Sequence, residues 1–481
     1  MSEVFSSINS FLETVLFFDI LFGTVDGVNL PFLVIWLISG GIYLTFLTRF
    51  INLRMLKHYF DIIRGRYNTV DDVGQISSFG ALTTALSATV GLGNIAGVAL
   101  AIAIGGPGAT FWMIVAGFLG MSLKFTEVTL SLQYREFLKD GTVMGGAMEY
   151  LSKGLAKKGY AKFGKVLAVV FAVFMIGGAI GGGNTFQVSQ ALSAISQEIP
   201  FFQEFPIVFG IIIASLVGFV IIGGVTRIAH ITEALVPFMA VIYISASLWI
   251  LGIHFEKIDD AFSIILTEAF SASAVYGGVI GSLIQGFQRA VFSSEAGIGS
   301  SPVAHAPVKT KYPVRQGLVA LYEPFIDTIV ICTMTALVIV ITGVYAHDGA
   351  YAALIEAKQG AALTSAAYGT VIEWFPSILS VSITLFAFST MISWSYYGER
   401  AWVYLFGSKL SIIYKIMFLS LTVIGTIVST GLLVDFSFML LLAMALPNIL
   451  GLFILGGDVK EQLDIYLQKL KSGELDKEAI K

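Results

Sequence analysis

The segment TALSATVGLGNIAG at residues 84–97 places glycines and an asparagine inside an apolar stretch. Gly91, Gly93 and Asn94 weaken a helix here, and unwinding frees backbone groups that cost several kcal/mol each when unpaired in hydrocarbon. Amides that begin an outer half-helix can bind a carboxylate, and carbonyls that end an inner half can bind a cation. We therefore expect Gly91, Gly93 and Asn94 to bind a substrate carboxylate. The alternative for Asn94 is a cap that bonds only the broken backbone.

A second polar cluster lies in GSLIQGFQRAVFSSEAGIGSSPVAHA at residues 281–306. Charges inside a membrane are costly and are usually paired or functional. Glu295, with Ser294 beside it, is predicted to meet a substrate ammonium, or else Glu295 accepts hydrogen bonds from unwound amides. Arg289 has a similar pair of interpretations, because it faces an outer vestibule or pairs with a carboxylate. The polar residues of the segment are Gln285, Gln288, Arg289, Ser293, Ser294, Glu295, Ser300 and Ser301.

The segment IGGAIGGGNTFQVSQAL at residues 176–192 contributes a third candidate group. Asn184 and Gln187 are three residues apart and would share one face of a helix. The preceding glycines allow close packing, and Phe186 could cap a small pocket. We therefore predict that Asn184, Phe186 and Gln187 contact substrate, with polar contacts between helices as the alternative.

Hydroxyl groups are adjacent in SVSITLFAFSTMISWSYYGERAW at residues 380–402, where Ser389 is followed by Thr390. Neutral oxygens of this kind can bind a hard cation such as sodium. The alternative is a hydrogen bond from each hydroxyl to the carbonyl four residues earlier. Trp394 lies away from both predicted interfaces and is predicted to line the pocket together with Thr390.

The other intramembrane charges have simpler interpretations, with one exception. Lys124 and Glu127 are predicted to pair with each other, and Glu233 is predicted to pair with Arg227. Asp327 lies deeper in its apolar run, within EPFIDTIVIC. It is therefore our candidate for a second cation site or a proton site.

Composition shows which elements must position these residues. Of the 481 residues, 56% are hydrophobic and 12% charged, with a mean hydropathy of +0.85, whereas soluble domains have about 25% charged residues. The long apolar runs do not alternate with period two, which predicts an all-α integral membrane protein rather than a barrel. The eleven predicted transmembrane helices cover residues 31–53, 76–105, 108–135, 164–195, 204–224, 229–252, 273–298, 316–344, 375–403, 411–430 and 433–455.

Loop charges predict the orientation of these spans. Basic loops at residues 53–68, 151–165 and 305–316 alternate with acidic or small ones at 196–205, 254–262 and 347–360. Because Lys and Arg mark the cytoplasmic side, the N-terminus is predicted outside and the C-terminus inside. Residues 1–30 are predicted to form an interfacial helix without a removable signal peptide. Residues 456–481 are predicted to form a cytoplasmic tail.

The two glycine segments align with each other. Gly91-Leu92-Gly93-Asn94 matches Gly297-Ile298-Gly299-Ser300, and both segments continue into Val-Ala. They lie five spans apart and so cross the membrane in opposite directions. This pattern predicts an inverted 5+5 repeat of residues 76–252 and 253–455, with discontinuous helices at spans 2 and 7. Residues 31–75 then form an extra span and a cytoplasmic loop. Chance recurrence among 50 glycines is the alternative.

Several motifs resemble known transporter families. TVGLGNIAG resembles the broken first core helix of LeuT-type amino-acid transporters in the amino acid-polyamine-organocation superfamily. GGPGATFWMIVAGFLG (residues 105–120), GGGNTFQ and GERAW resemble the alanine or glycine:cation symporter family, with Ile114 where a second Trp is usual. The resemblance implies a LeuT-type fold and alanine or glycine as substrate. It also implies a sodium site formed by carbonyls of Ser87, Thr89 and Val90 and by the Ser389–Thr390 pair.

These observations together predict a secondary transporter of the plasma (inner) membrane that couples a small neutral amino acid to sodium. A proton-coupled or exchange-type transporter of the same fold is one alternative, and an ion channel is another. The sequence has no Walker A loop, no metal-ligand spacing among its histidines and no basic face for nucleic acid. Cys332 is the single cysteine and indicates no disulfide or metal cluster. We therefore expect no enzyme activity and no cofactor other than sodium as the coupling ion.

Overall fold

The computed structural model describes residues 10–20, 22, 30–139, 141–271, 278–427 and 438–479. The described residues are mostly helical, and their one sheet pairs Glu136–Phe137 (β1) with Val143–Met144 (β2) in antiparallel register. The helices of eight or more α-helical residues are, in chain order, α1 (Phe32–Leu47), α2 (Leu56–Ile63), α3 (Ser78–Thr89), α4 (Val98–Gly105), α5 (Ala109–Gln133), α6 (Ala161–Ile180), α7 (Phe186–Glu198), α8 (Pro206–Ile221), α9 (Gly224–Ile253), α10 (Ile258–Ala269), α11 (Gly278–Ser294), α12 (Pro313–Ala320), α13 (Thr333–Thr342), α14 (Gly360–Gly369), α15 (Phe375–Phe406), α16 (Ser411–Ile424) and α17 (Ala445–Lys471).

Shorter helical pieces connect these helices, and four of them are π turns. The π turns are Gly93–Gly97, Tyr150–Gly154, Gly181–Thr185 and Phe325–Cys332. Residues 10–16 and 438–443 are also helical. The remaining pieces are Ile51–Leu53, Ala147–Glu149, Leu155–Lys157, Phe201–Glu204, Phe255–Lys257, Pro302–His305, Ala352–Glu356, Ser408–Leu410 and Glu474–Glu478.

Six helical stretches of the described residues are long and apolar enough to cross a membrane, and a bent pair adds a seventh. The bent pair is Ser78–Thr89 with Gly93–Gly105, whose axes differ by 49°. α1 and α8 are apolar but shorter. The six stretches are Ala109–Gln133, Ala161–Glu198, Gly224–Ile253, Pro313–Thr342, Phe375–Phe406 and Phe438–Lys471. Parts of predicted spans 7, 10 and 11 and of the predicted interfacial helix fall outside the described residues, so the count of eleven stays a prediction.

The first break occurs where the glycine segment predicts it. α3 ends at Thr89, Val90 is extended with ψ 104°, and helix resumes in the π turn that begins at Gly93. A Cβ atom on Gly93 would lie 2.9 Å from the Cα of Ser293. Only glycine therefore allows the two interrupted helices to approach this closely.

The second break follows α11, which ends at Ser294. Glu295 has a left-handed φ of 57°, a conformation that is uncommon for a residue with a side chain. The chain becomes helical again only at Pro302–His305, so the segment after this break is a short turn. α5 packs against α11 and α12, while α15 packs against α3, α6, α7 and α9. These contacts bring both breaks to the centre of the bundle.

Candidate substrate and ion site

A small cavity lies between the two breaks. Its walls come from the first broken helix, the start of α7 with the π turn before it, the end of α11 with Glu295, and α15. About 20 Å³ of it is open to the centre of a water molecule, which is little more than one water requires. The lining residues are Ala88, Thr89, Gly91, Leu92, Gly93, Gly182, Gln187, Phe292, Glu295, Thr390, Trp394 and Leu441.

The cavity brings together a large part of the predicted site. The predicted residues that line it are Thr89, Gly91, Gly93, Gln187, Glu295, Thr390 and Trp394. Sequence reasoning missed Ala88, Leu92, Gly182, Phe292 and Leu441. Ala88, Leu92, Gly182 and Phe292 lie within two residues of predicted ones, and that proximity could have identified them. Leu441 is an apolar residue like many others in a membrane helix, so the sequence contains no signal for it.

Gln187 and Glu295 are two of the polar residues that line this cavity. The Gln187 amide nitrogen donates to the Gly182 carbonyl at 3.0 Å, while its Oε1 atom is buried and has no partner among the described residues. The Glu295 carboxylate accepts a hydrogen bond from the Ser300 hydroxyl and lies close to the Trp394 side chain. An unpaired buried amide oxygen is costly. The cavity therefore offers one free acceptor and one carboxylate to a cationic group.

Other predicted substrate residues make their polar contacts elsewhere. The Asn94 side chain caps the break by accepting from the Gly91 amide at 2.7 Å, and its nitrogen donates to Asp327 at 2.7 Å. The Asn184 nitrogen donates to the Phe418 carbonyl of α16 at 2.7 Å. The contact of Asn184 favours its alternative, a polar link between helices. Asn94 caps the break as its alternative states, but it does not bond only the broken backbone, because it also donates to Asp327.

Phe186 and Ser294 lie beside the cavity rather than on its wall. The Phe186 ring contacts the ring of Phe292 edge to face, with centroids 6.2 Å apart. The Ser294 hydroxyl donates to the carbonyl of Ala290 one turn earlier, at 2.9 Å. Phe186 therefore supports the wall through Phe292, and Ser294 bonds its own helix.

The oxygens proposed for sodium meet where α3 contacts α15. The Thr390 hydroxyl donates to the Ser87 carbonyl at 3.1 Å, and the Ser87 hydroxyl donates to the Ser389 carbonyl at 2.7 Å. The Ser389 hydroxyl lies 3.5 Å from the same Ser87 carbonyl. Sequence reasoning missed Ser393, whose hydroxyl donates to the Thr84 carbonyl at 2.9 Å. Its position one turn after Ser389 was the available signal.

The remaining two predicted sodium ligands flank this contact. The Thr89 hydroxyl donates to the Ala85 carbonyl at 3.3 Å. The group of Thr89 that is predicted to bind sodium is its backbone carbonyl. Val90 is the extended residue at which the helix opens, and its amide still donates to the Leu86 carbonyl at 2.7 Å. The end of α3 therefore presents its last carbonyls beside the hydroxyls of α15.

Asp327 belongs to a separate, fully buried cluster. Its carboxylate accepts from Ser293 at 2.6 Å, from Thr328 at 2.8 Å and from Asn94. These partners link the first break, the end of α11 and the π turn of residues 325–332. The cluster supplies several oxygen atoms and one charge, a composition that suits a hard cation or a proton.

Comparison with known proteins identifies the family. A family model described as the sodium:alanine symporter family matches residues 16–480. The chain belongs to this family. The sodium/alanine symporter AgcS of Methanococcus maripaludis is 40% identical over 430 residues, which cover 89% of this chain and 92% of AgcS. The putative sodium/proton-dependent alanine carrier protein YrbD of Bacillus subtilis is 35% identical over 417 residues, which cover 83% of this chain and 82% of YrbD.

The fold also matches a solved structure. The crystal structure of MhsT in complex with L-phenylalanine aligns with a TM-score of 0.54 at 16% identity, covering 82% of this chain and 93% of the MhsT chain. This likeness confirms the predicted LeuT-type fold at the level of its overall architecture. The symporter is a multi-pass membrane protein that carries an amino acid with sodium, and it is not an enzyme.

Two predicted ion pairs of the symporter are wrong. Lys124 pairs with Glu323 at 3.3 Å and donates to Ser301, whereas Glu127 accepts from Asn448 at 2.6 Å. Lys124 thereby links α5 to the second break. The predicted pair of Glu233 and Arg227 is also absent from the described residues, because Glu233 accepts from Ser77 at 3.0 Å and Arg227 donates to the Phe219 carbonyl at 2.7 Å.

Proposed function

We propose that the symporter takes up alanine or glycine with sodium by alternating access. The observation that carries this proposal is the cavity between the two breaks, which offers a glycine-rich turn, a free amide oxygen and a carboxylate. Its small volume favours a ligand of few atoms, because a larger one requires more separation of the walls. The family's name and the name of AgcS support alanine.

The roles at this cavity follow from charge. The substrate carboxylate binds the backbone of the turn at Gly91 and Gly93, where amides begin the outer half-helix. The ammonium lies between the Gln187 oxygen and the Glu295 carboxylate, and Trp394 and Thr390 enclose the small side chain. Residues behind the wall position these groups without touching substrate, namely Asn94 at the break, Asn184 against α16, Phe186 behind Phe292, and Ser294 at the end of α11.

Sodium binds where α3 meets α15, and it is the coupling ion. The carbonyls of Ser87, Thr89 and Val90 and the hydroxyls of Ser389 and Thr390 provide oxygen ligands. The hydrogen bond from Thr390 to Ser87 supports this assignment, because both oxygens already face one another. A cation between them accepts lone pairs from both and replaces that hydrogen bond.

The Asp327 cluster is a second cation site or a proton site. Asp327 is buried and accepts a hydrogen bond from Asn94, the residue that caps the first break. These contacts support an effect of the charge on Asp327 on the conformation of that break. The name of YrbD includes both sodium and protons, which makes proton coupling the second candidate function. Asp327 is the group that would take up the proton.

The topology remains part of the proposal. The eleven spans form an inverted 5+5 repeat of residues 76–252 and 253–455 after one extra helix, with the N-terminus outside and the tail from residue 456 in the cytoplasm. A break in each repeat supports this arrangement, since the first helix of the first repeat is interrupted near its middle and that of the second repeat is interrupted after Ser294. The protein would lie in the plasma (inner) membrane.

Uptake into proteoliposomes tests the proposal. Radiolabelled alanine is supplied with an inward sodium gradient, with an equal potassium gradient, or with a pH gradient alone, and unlabelled glycine serves as competitor. We expect accumulation only with sodium and competition by glycine. Accumulation driven equally by the pH gradient would favour the proton-coupled alternative. Uptake at the same rate with and without each gradient would rule out symport.

A further inference from the structure

A basic cavity separate from the transport site lies where the end of α1 meets α17. Its charged lining residues are Arg49, Arg54, Lys460, Asp464 and Lys471, and its volume is about 240 Å³. Four cations and one carboxylate leave a net charge of +3 around this space. None of the four cations forms an ion pair within the described residues. The cavity is therefore attractive to an anion.

The backbone on one side of this cavity has an unusual conformation. Arg49 and Phe50 follow α1 and have left-handed φ values of 56° and 55°. Left-handed φ values are rare in residues other than glycine, and they persist only where the surrounding structure stabilises them. Arg54 donates to the Thr48 carbonyl at 3.2 Å and closes this turn. The turn therefore fixes the backbone that carries Arg49 at the edge of the cavity.

The other side of the cavity is one face of α17. Lys460, Asp464, Gln468 and Lys471 recur at helical spacing and point the same way. Arg and Lys side chains bind phosphate oxygens through charge-assisted hydrogen bonds. The cavity is large enough for a phosphodiester with its ester oxygens, and its walls provide donors from two directions.

Large apolar side chains next to the cavity indicate which phosphate it binds. Phe46 is 65% exposed and Leu53 is 69% exposed, and Phe50 and Leu56 are exposed beside them. In a membrane protein such side chains face acyl chains. A soluble phosphate would use the cations and leave this apolar surface unused, whereas a phospholipid uses both.

We propose that the basic cavity binds the phosphate headgroup of an anionic phospholipid, with its acyl chains against Phe46, Phe50 and Leu53. The bound lipid joins the end of α1 to α17. Basic pockets at the end of membrane helices bind anionic headgroups in this way. The proposal does not depend on which amino acid or ion the symporter carries.

Lipid titration of the purified full-length protein tests this proposal. Phosphatidylglycerol and phosphatidylcholine with identical acyl chains are added in detergent, and bound lipids are counted by native mass spectrometry. We expect tighter binding of phosphatidylglycerol, and the double variant Lys460→Gln/Lys471→Gln is expected to weaken it about 25-fold, at about 5-fold per charge. The matched control Lys162→Gln/Lys165→Gln removes two exposed lysines of α6 and is expected to bind normally.

A variant of opposite sign separates the charge effect from a folding defect. Asp464→Asn removes the one carboxylate of the cavity and is expected to tighten phosphatidylglycerol binding about 5-fold. Equal binding of the two lipids by the unmodified protein would overturn the proposal, as would equal losses in the two double variants. Displacement of the lipid by millimolar inorganic phosphate would assign the cavity to a soluble phosphate instead and would also overturn it.

Discussion

Replacing Gln187 by leucine is expected to weaken alanine binding while the bundle stays folded. Gln187 lines the cavity, its Oε1 atom has no partner in the described part of the chain, and a substrate ammonium would provide one. A hydrogen bond to a charged group contributes about 1.5–3 kcal/mol, which corresponds to an affinity loss of about 10- to 160-fold. The variant loses the bond to the Gly182 carbonyl as well, but it removes an unsatisfied oxygen from the free protein. We therefore expect little net change in stability.

Asn184→Leu is the matched control for this prediction, because it removes the same kind of side chain three residues earlier. Asn184 bonds the Phe418 carbonyl and the Thr422 hydroxyl of α16. Its loss removes both hydrogen bonds to α16, where only the bond from the Thr422 hydroxyl to the Phe418 carbonyl remains. The variant is therefore expected to lower the melting temperature, with the affinity for alanine nearly unchanged. Sodium-dependent alanine binding and thermal unfolding are measured for both variants. An unchanged affinity in Gln187→Leu, or an equal loss of affinity in Asn184→Leu, would contradict the assignment.

Three further substitutions test other parts of the structure. Thr390→Val removes a proposed sodium ligand and is expected to raise the half-saturating sodium concentration of uptake about 10-fold, whereas Thr384→Val, whose hydroxyl bonds only its own helix, is not. Gly93→Ala places a Cβ against the Ser293 backbone and is expected to cost about 1–3 kcal/mol of folding stability, while Gly252→Ala, which has open space around it, leaves the melting temperature unchanged. Burial lowers the pKa of His58 from 6.5 to about 4, so the stability contributed by its neutral form is complete above pH 6.5 and is lost as the pH falls to about 4. After allowance for solvent screening this loss is about 2 kcal/mol, and His58→Gln is expected to flatten the dependence of melting temperature on pH.

The sequence predicts the first break well because the cause of the break is local. Gly91 and Gly93 weaken the helix wherever they lie, and Asn94 supplies a cap from within the same turn. The position of Glu295 at the second break is predictable for the same reason, since glycines follow it closely. The short length of the helix after this break, Pro302–His305, depends on tertiary packing and has no comparable signal.

The sequence does not predict the direction in which side chains point after an irregular turn. Asn184 and Gln187 would share a face of a regular α-helix, yet one contacts α16 and the other faces the cavity. The π turn Gly181–Thr185 contains Asn184 and precedes Gln187. Such a turn inserts one extra residue and rotates the following helix by about 100°. Asp327 lies in the π turn Phe325–Cys332 and is equally difficult to orient from spacing alone.

Lys124 shows a second reason why the sequence is insufficient. Glu127 is its neighbour at helical spacing, but the ion pair forms with Glu323. His305 bonds the same carboxylate of Glu323, so that three elements meet there. Spacing along one helix cannot reveal a partner that the fold supplies from another helix.

The geometry of the first break predicts how strongly sodium and alanine assist one another. Ser87 begins the segment proposed to bind sodium, and Gly91 begins the turn proposed to bind the substrate carboxylate, only four residues later. A cation held by Ser87 and Thr390 fixes the end of α3 and thus part of the conformation that alanine requires. Such coupling is typically about 1–3 kcal/mol, or 5- to 150-fold in affinity, and it is reciprocal. Saturating alanine should therefore lower the dissociation constant of sodium by the same factor by which saturating sodium lowers that of alanine. Titration of each ligand at both extremes of the other measures the two factors. Independent binding, with both factors equal to unity, would show that the segment between Ser87 and Gly91 does not transmit the effect.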